Sequence, residues 1–225
     1  MSGREAILSK LRVALREGSD DAARAEAVRQ RLISAPRGVI PARGQLGEKE
    51  RVDLFATMAV NFAASVERVD RSADVPTSVA VHLRDRNLPA RVRMGTDPRL
   101  AGMPWQDEAS LELTFGPSET DDLAGVSHAM AGIAETGTLV LPSGPDNPTT
   151  VNFLPEHHIV VIRANDIAGD METVLDQVRD TYGQGKMPRT LNLITGPSRS
   201  ADIEQTLLLG AHGPRALHVI VVDGE

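Results

Sequence analysis

The chain has 225 residues, 41% of them hydrophobic, enough to bury a full core within one large domain. A formal net charge of −7 and only 3% aromatic residues argue against a basic, base-stacking surface, so nucleic acid is not an expected partner. Without a single cysteine the chain can hold no disulfide, no thiolate nucleophile and no cysteine-ligated iron–sulfur cluster.

At the start, MSGREAILSKLRVALREG carries charges every few residues and lacks the apolar centre of a signal peptide. No later run approaches the ~20 apolar residues of a membrane span. A cytoplasmic location is expected. Ile7, Leu8, Leu11 and Leu15 recur at helical spacing and predict a helix over Arg4–Arg16. Asp20 and Asp21 open a second helix, DDAARAEAVRQRLIS, which stops before Pro36. The stretch PRGVIPARGQLG, with two prolines and three glycines, reads as a linker. Residues 1–46 are therefore expected to form a helical arm with its loop, and residues 47–225 the main domain. The arm is either a hairpin packed on its own domain or an arm that docks on a partner subunit.

From Glu48 a long amphipathic helix is expected to run through Phe55, Met58, Phe62 and Val66. Strands and helices then alternate: strands at Arg91–Met94, Leu111–Phe115, Thr138–Leu141 and His158–Ile162, a helix from about Asp170 to Tyr182, strand Leu191–Thr195, a short helix, and strand Leu217–Val222. HIVVI and LHVIVV are unbroken apolar runs, the pattern of strands covered on both faces in a parallel sheet. The expected class is α/β. Ligands in such sheets bind beyond the C-terminal ends of strands, which directs attention to Glu135 and Gly196.

Two turns could carry chemistry. In GPSRSADIE, Gly196 permits close backbone approach, and Ser198 and Ser200 are N-cap candidates for a helix beginning near Ala201. A helix start can hold an anion, but Asp202 and Glu204 already occupy its first turn. Capping and a ligand cradle are both open readings. The second turn lies in GIAETGTLVLPSG. There Glu135 precedes a Thr136–Gly137 turn, placed either for acid, base or nucleophile work or simply to accept backbone N–H bonds. If the two turns share one edge of the sheet, Glu135, Thr136, Ser198, Asp202 and His212 are expected to line one pocket.

No metal site is expected. His157 and His158 are adjacent and point to opposite faces of a strand, while His82, His128, His212 and His218 show no HxH or HxxxH spacing. The histidines read as six independent side chains, of which His212, in GAHGP, is kept as a site candidate. The fold class leaves homo-oligomerisation open.

Three blocks, GIAETGTLVLPSG, FLPEHHIVVIRANDI and TGPSRSADIEQTLLLGAHGPRALHVIVVD, together resemble the LUD-domain family, with GPS, ADIE and GxHGP in order in the last. The resemblance covers the C-terminal half. It implies a NagB/RpiA/CoA-transferase-like α/β sheet covered by helices and a part in bacterial oxidation of L-lactate to pyruvate. It also implies partner proteins that carry the iron–sulfur clusters, a division of labour that suits a chain without cysteine. It favours Gly196, Ser198, Asp202, Glu204 and His212 as pocket lining with Thr136 and Gly137. Relatives often carry a basic residue just before LPxxH, where this chain has Thr149, Thr150, Val151 and Asn152; Arg163 and Arg199 are candidates to replace it. Two other readings stand beside this one: a free-standing CoA-transferase or isomerase-like enzyme using Glu135, and a module that binds a small carboxylate or nucleotide.

Overall fold

The runs HIVVI and LHVIVV become interior strands of a parallel sheet in the computed structural model, which describes residues 3–16, 21–201 and 207–224. The six-stranded sheet has the order β1 (Ser65–Val69), β12 (Ala216–Val222), β7 (His157–Arg163), β4 (Ala124–His128), β2 (Arg91–Met94) and β3 (Glu112–Phe115). Every pairing in it is parallel. A second, four-stranded sheet runs β8 (Ile167–Ala168), β5 (Ala131–Ile133), β6 (Thr138–Pro142) and β9 (Leu191–Ile194), with β6 antiparallel to both neighbours.

Alternation along the strands sorts their side chains into two cores. From β7, Ile159 and Val161 join Val79, Leu83 and Trp105 on one face, while Val160 and Ile162 join Phe55, Leu139 and Val219 on the other. The first face is covered by α4 (Val75–Asp85) and α5 (Pro98–Ala101). The second is covered by α3 (Glu48–Asn61) and by the four-stranded sheet, whose far side packs on α7 (Met171–Tyr182) through Val174. A short helix, α6 (Thr149–Phe153), leads into β7.

Residues 1–39 form a separate compact unit containing α1 (Gly3–Arg16) and α2 (Asp21–Ser34), and residues 40–225 form the other. The approach of Gly44 to Gly169 and a 2.9 Å hydrogen bond from Gln45 to Asp170 lie within the larger unit. No helix among the described residues is long and apolar enough to cross a membrane.

Two expected helices differ from the structure. α3 ends at Asn61 rather than continuing through Val66. Ala63 takes a positive φ of 67° and Ala64 N–H returns to Ala59 O, closing the helix and releasing Ser65–Val69 to pair with β12. Near Ala201 the chain is a strand, not a helix start. β10 (Arg199–Ala201) pairs antiparallel with β11 (Leu207–Leu209), because the Leu-Leu-Leu run supplies a partner strand that outcompetes the capping serines. Asp202 and Glu204 lie outside the described residues.

Candidate functional site

The two turns singled out in the sequence do leave the same end of the four-stranded sheet. Gly137 opens β6 and Gly196 follows β9, and the register pairs Leu139 with Ile194. Hydroxyls bridge them: Thr136 Oγ1 lies 2.7 Å from Thr138 Oγ1, which lies 2.6 Å from Thr195 Oγ1. Both turns press on the end of α3. Gly137 (φ 64°) meets Met58–Ala59 and Gly196 (φ 78°) meets Phe62, leaving no room for a Cβ at either position.

The Gly196 turn opens onto a cavity of about 290 Å³. One wall is Thr195–Arg199, the other His212–Pro214, and the floor is Asn152, His158 and Leu217. Ser198 N–H donates to Pro214 O at 2.8 Å, and Gly210 N–H donates to Ser198 O at 3.0 Å, so the two walls are tied together. Arg199 reaches over the Phe62 ring, 5.8 Å from its centroid. The cavity meets the C-terminal end of β9, as expected, but the starting ends of the parallel strands, since His158 and Leu217 are the second residues of β7 and β12 and pair with each other. That placement follows from laying β9 in a separate, antiparallel sheet across the face of the parallel one.

Glu135, Thr136 and Gly137 do not line this cavity, although Gly196, Ser198 and His212 do. Glu135 is 6% exposed and sits at the start of α7. Its Oε1 accepts the Met171 N–H at 3.2 Å, its own N–H donates to Gly169 O at 3.2 Å, and Oε2 faces Arg43 at 3.9 Å. A carboxylate at a helix N-terminus is favoured by the helix dipole, beside Asp170, which caps Thr173. The single pocket expected to join Glu135 and Thr136 to Ser198 and His212 is thus divided: one turn faces the cavity and the other faces α7.

Ser127, Asn152 and His158 were not among the expected site residues, yet they form one hydrogen-bonded chain, with Asn152 and His158 in the cavity floor. The signal was present: a histidine on the inward face of an otherwise apolar strand is a buried polar group that needs partners. Burial holds the His158 ring neutral, pushing its pKa down to about 3. Arg199 stands at the cavity wall, while Arg163 ends β7 at the opposite end of the strand.

The other histidines are not six independent side chains. His218 stacks on His82 with ring centroids 4.2 Å apart, and His157 meets His82 edge-on at 5.9 Å. The parallel register of β7 and β12 puts His157 and His218 on the α4 face, a proximity that spacing along the chain does not reveal. Stacked rings direct their in-plane lone pairs past one another, and among the described residues no group of three or more His, Asp or Glu side chains is arranged to hold a metal.

An α/β protein with a ligand-sized cavity between a parallel sheet and a crossing antiparallel one is the class that this geometry defines. Residues 121–222 match the LUD domain, and that segment contains every residue named above as lining the cavity. The chain is similar to lactate utilization protein C of Shouchella clausii (strain KSM-K16), 36% identical over 101 residues, 45% of this chain and 44% of that protein. It is also similar to lactate utilization protein C of Geobacillus sp. (strain WCH70), 39% identical over 101 residues, 44% of this chain and 42% of that protein. The likeness thus spans less than half the length of these curated relatives. A crystal structure of a DUF162 family protein from Deinococcus radiodurans superposes with a TM-score of 0.55 at 25% identity, covering 79% of this chain and 99% of that one.

Proposed function

We propose that this chain works in lactate utilization, as a component acting with iron–sulfur partner proteins in the oxidation of L-lactate to pyruvate, and that the Gly196–His212 cavity is where it meets a small ligand. The observation that carries the reading is a coincidence of two boundaries. The segment that matches the LUD domain supplies both walls and the floor of the cavity, and the similarity to lactate utilization protein C extends over a stretch of nearly the same length, 101 residues. A chain with no cysteine leaves electron transfer through thiolate-held clusters to its partners.

The alternative, covalent chemistry at Glu135, has less support. Its carboxylate is buried against the start of α7, one oxygen already accepts a backbone N–H, and it does not line the Gly196 cavity. Deleting the gene is expected to impair growth of the host cell on L-lactate and to leave growth on pyruvate intact. Equal growth on the two carbon sources contradicts the lactate role. Affinity capture from lactate-grown cells is expected to recover iron–sulfur proteins.

A further inference from the structure

Helix α1 carries an apolar stripe that stands bare. With about 100° between successive residues, Ile7, Leu8, Leu11, Ala14 and Leu15 fall within one arc of about 120°. Ile7, Leu11 and Leu15 are 62%, 52% and 67% exposed, and residues 3–15 of the helix are exposed throughout. Val28, Leu32 and Ile33 of α2 are exposed as well, so the neighbouring helix does not close over the stripe.

The charges of α1 are placed around that stripe. Lys10 and Arg12 fall at its two margins, and Arg4 lies in the first turn at its end. The helix sequence GREAILSKLRVALR holds four cations and one acid, Glu5, a local charge of +3 in a chain of net −7. Long basic side chains beside an apolar face lay their stems along it and turn their charged ends outward. This make-up suits a helix lying in the plane of a lipid surface, with the stripe among the acyl chains and the cations at the headgroups. The helix is too short to cross, since 14 residues rise about 21 Å against a hydrocarbon core of about 30 Å. A second copy of α1 is a poorer occupant. It would bring the same cationic margins, with only Glu5 to oppose them, and most facing charges would repel.

We propose that α1 is an in-plane anchor that holds the chain reversibly on an anionic membrane surface. The stripe supplies the penetration and the cations supply the preference for acidic lipid headgroups. One short helix binds weakly, so the attachment is reversible and sensitive to salt.

Co-sedimentation of the full chain with vesicles tests it. The chain is expected to pellet with mixed phosphatidylglycerol–phosphatidylcholine vesicles, to stay in solution with phosphatidylcholine alone, and to be released by added salt. Lys10→Gln combined with Arg12→Gln is expected to weaken binding about thirtyfold, the effect of two cations lost at the surface. Leu11→Ser is expected to weaken it strongly. Val13→Ser, about 160° around the helix from Leu11, is expected to leave it unchanged. Circular dichroism checks that both serine variants keep the helix; should Leu11→Ser lose it, the charge variant, which retains the whole stripe, still decides. A chain that stays in solution with both kinds of vesicle overturns the proposal. Equal binding to both kinds, or equal losses in Leu11→Ser and Val13→Ser, does so too. A dimer in analytical ultracentrifugation that Leu11→Ser dissociates, without vesicle binding, overturns it in favour of a second copy.

Discussion

The Glu135 turn and the Gly196 turn leave one end of the same sheet, press on the same helix and are joined through three threonine hydroxyls, yet their surroundings differ. Around Glu135 the space is filled by the start of α7, so the carboxylate serves that helix. Past Gly196 the chain diverges into the β10–β11 hairpin, and the gap between that hairpin and the starts of β7 and β12 remains as the cavity. A glycine turn at a strand end is therefore a site only when the elements beyond it diverge. The residue chemistry of the turn does not decide this.

The largest effect expected from breaking this arrangement comes from the glycines themselves. Gly137→Ala and Gly196→Ala each place a Cβ into α3 backbone at positive φ and are expected to destabilise the fold by about 3 kcal/mol or more, read by chemical denaturation. A cost below about 1 kcal/mol at either position would mean that the turns do not rest on α3.

Acid is expected to act next, and on the fold as a whole. His82 and His218 are pushed down to about 4, His82 by burial and then by the charges of His218 and Arg86, His218 by burial and then by Arg86. His157 is lowered by burial and by Arg215. Each is neutral in the folded chain, while the unfolded chain takes up protons near its ordinary value. The stabilisation is complete above the unfolded histidine pKa of about 6.5 and is lost as pH falls toward about 4. Melting curves between pH 7 and pH 4 are expected to show a falling Tm; a flat Tm across that window would contradict the buried, neutral cluster.

A smaller, sharper contrast separates the two turns. Glu135→Ala removes the acceptor for the Met171 N–H and is expected to cost about 1–2 kcal/mol of stability while leaving ligand affinity unchanged. Ser198→Ala keeps both backbone bonds of Ser198 and is expected to change stability by less than about 0.5 kcal/mol while weakening any ligand that uses the cavity. The opposite pattern would transfer the site to Glu135.

Much of the scaffold was legible in the sequence, because unbroken apolar runs such as HIVVI and LHVIVV have few alternatives to a doubly covered strand. β4 was not: AGVSH interrupts its apolar character with Gly125, Ser127 and His128, each of which has a packing or hydrogen-bonding reason visible only in three dimensions. Gly125 lies against the Val151 carbonyl of α6, Ser127 bonds Asn152 beneath the cavity, and His128 bonds Ala129 O. The helix expected near Ala201 was drawn from capping signals that are real but local, and a partner strand eight residues on overrode them. The walls of the cavity were foreseen through Gly196, Ser198 and His212. Its floor was not, since Asn152 and His158, joined through Ser127 beneath it, come from elements brought together by the parallel register of β4 and β7.

The most direct test of the central claim, that the Gly196 turn and not the Glu135 turn is the ligand site, is amide chemical-shift mapping during titration of the full chain with L-lactate. Saturable shifts are expected at residues 195–199 and 212–213, with Glu135, Gly137, Gly169 and Asp170 unmoved. Shifts confined to Glu135 and the start of α7 would contradict it.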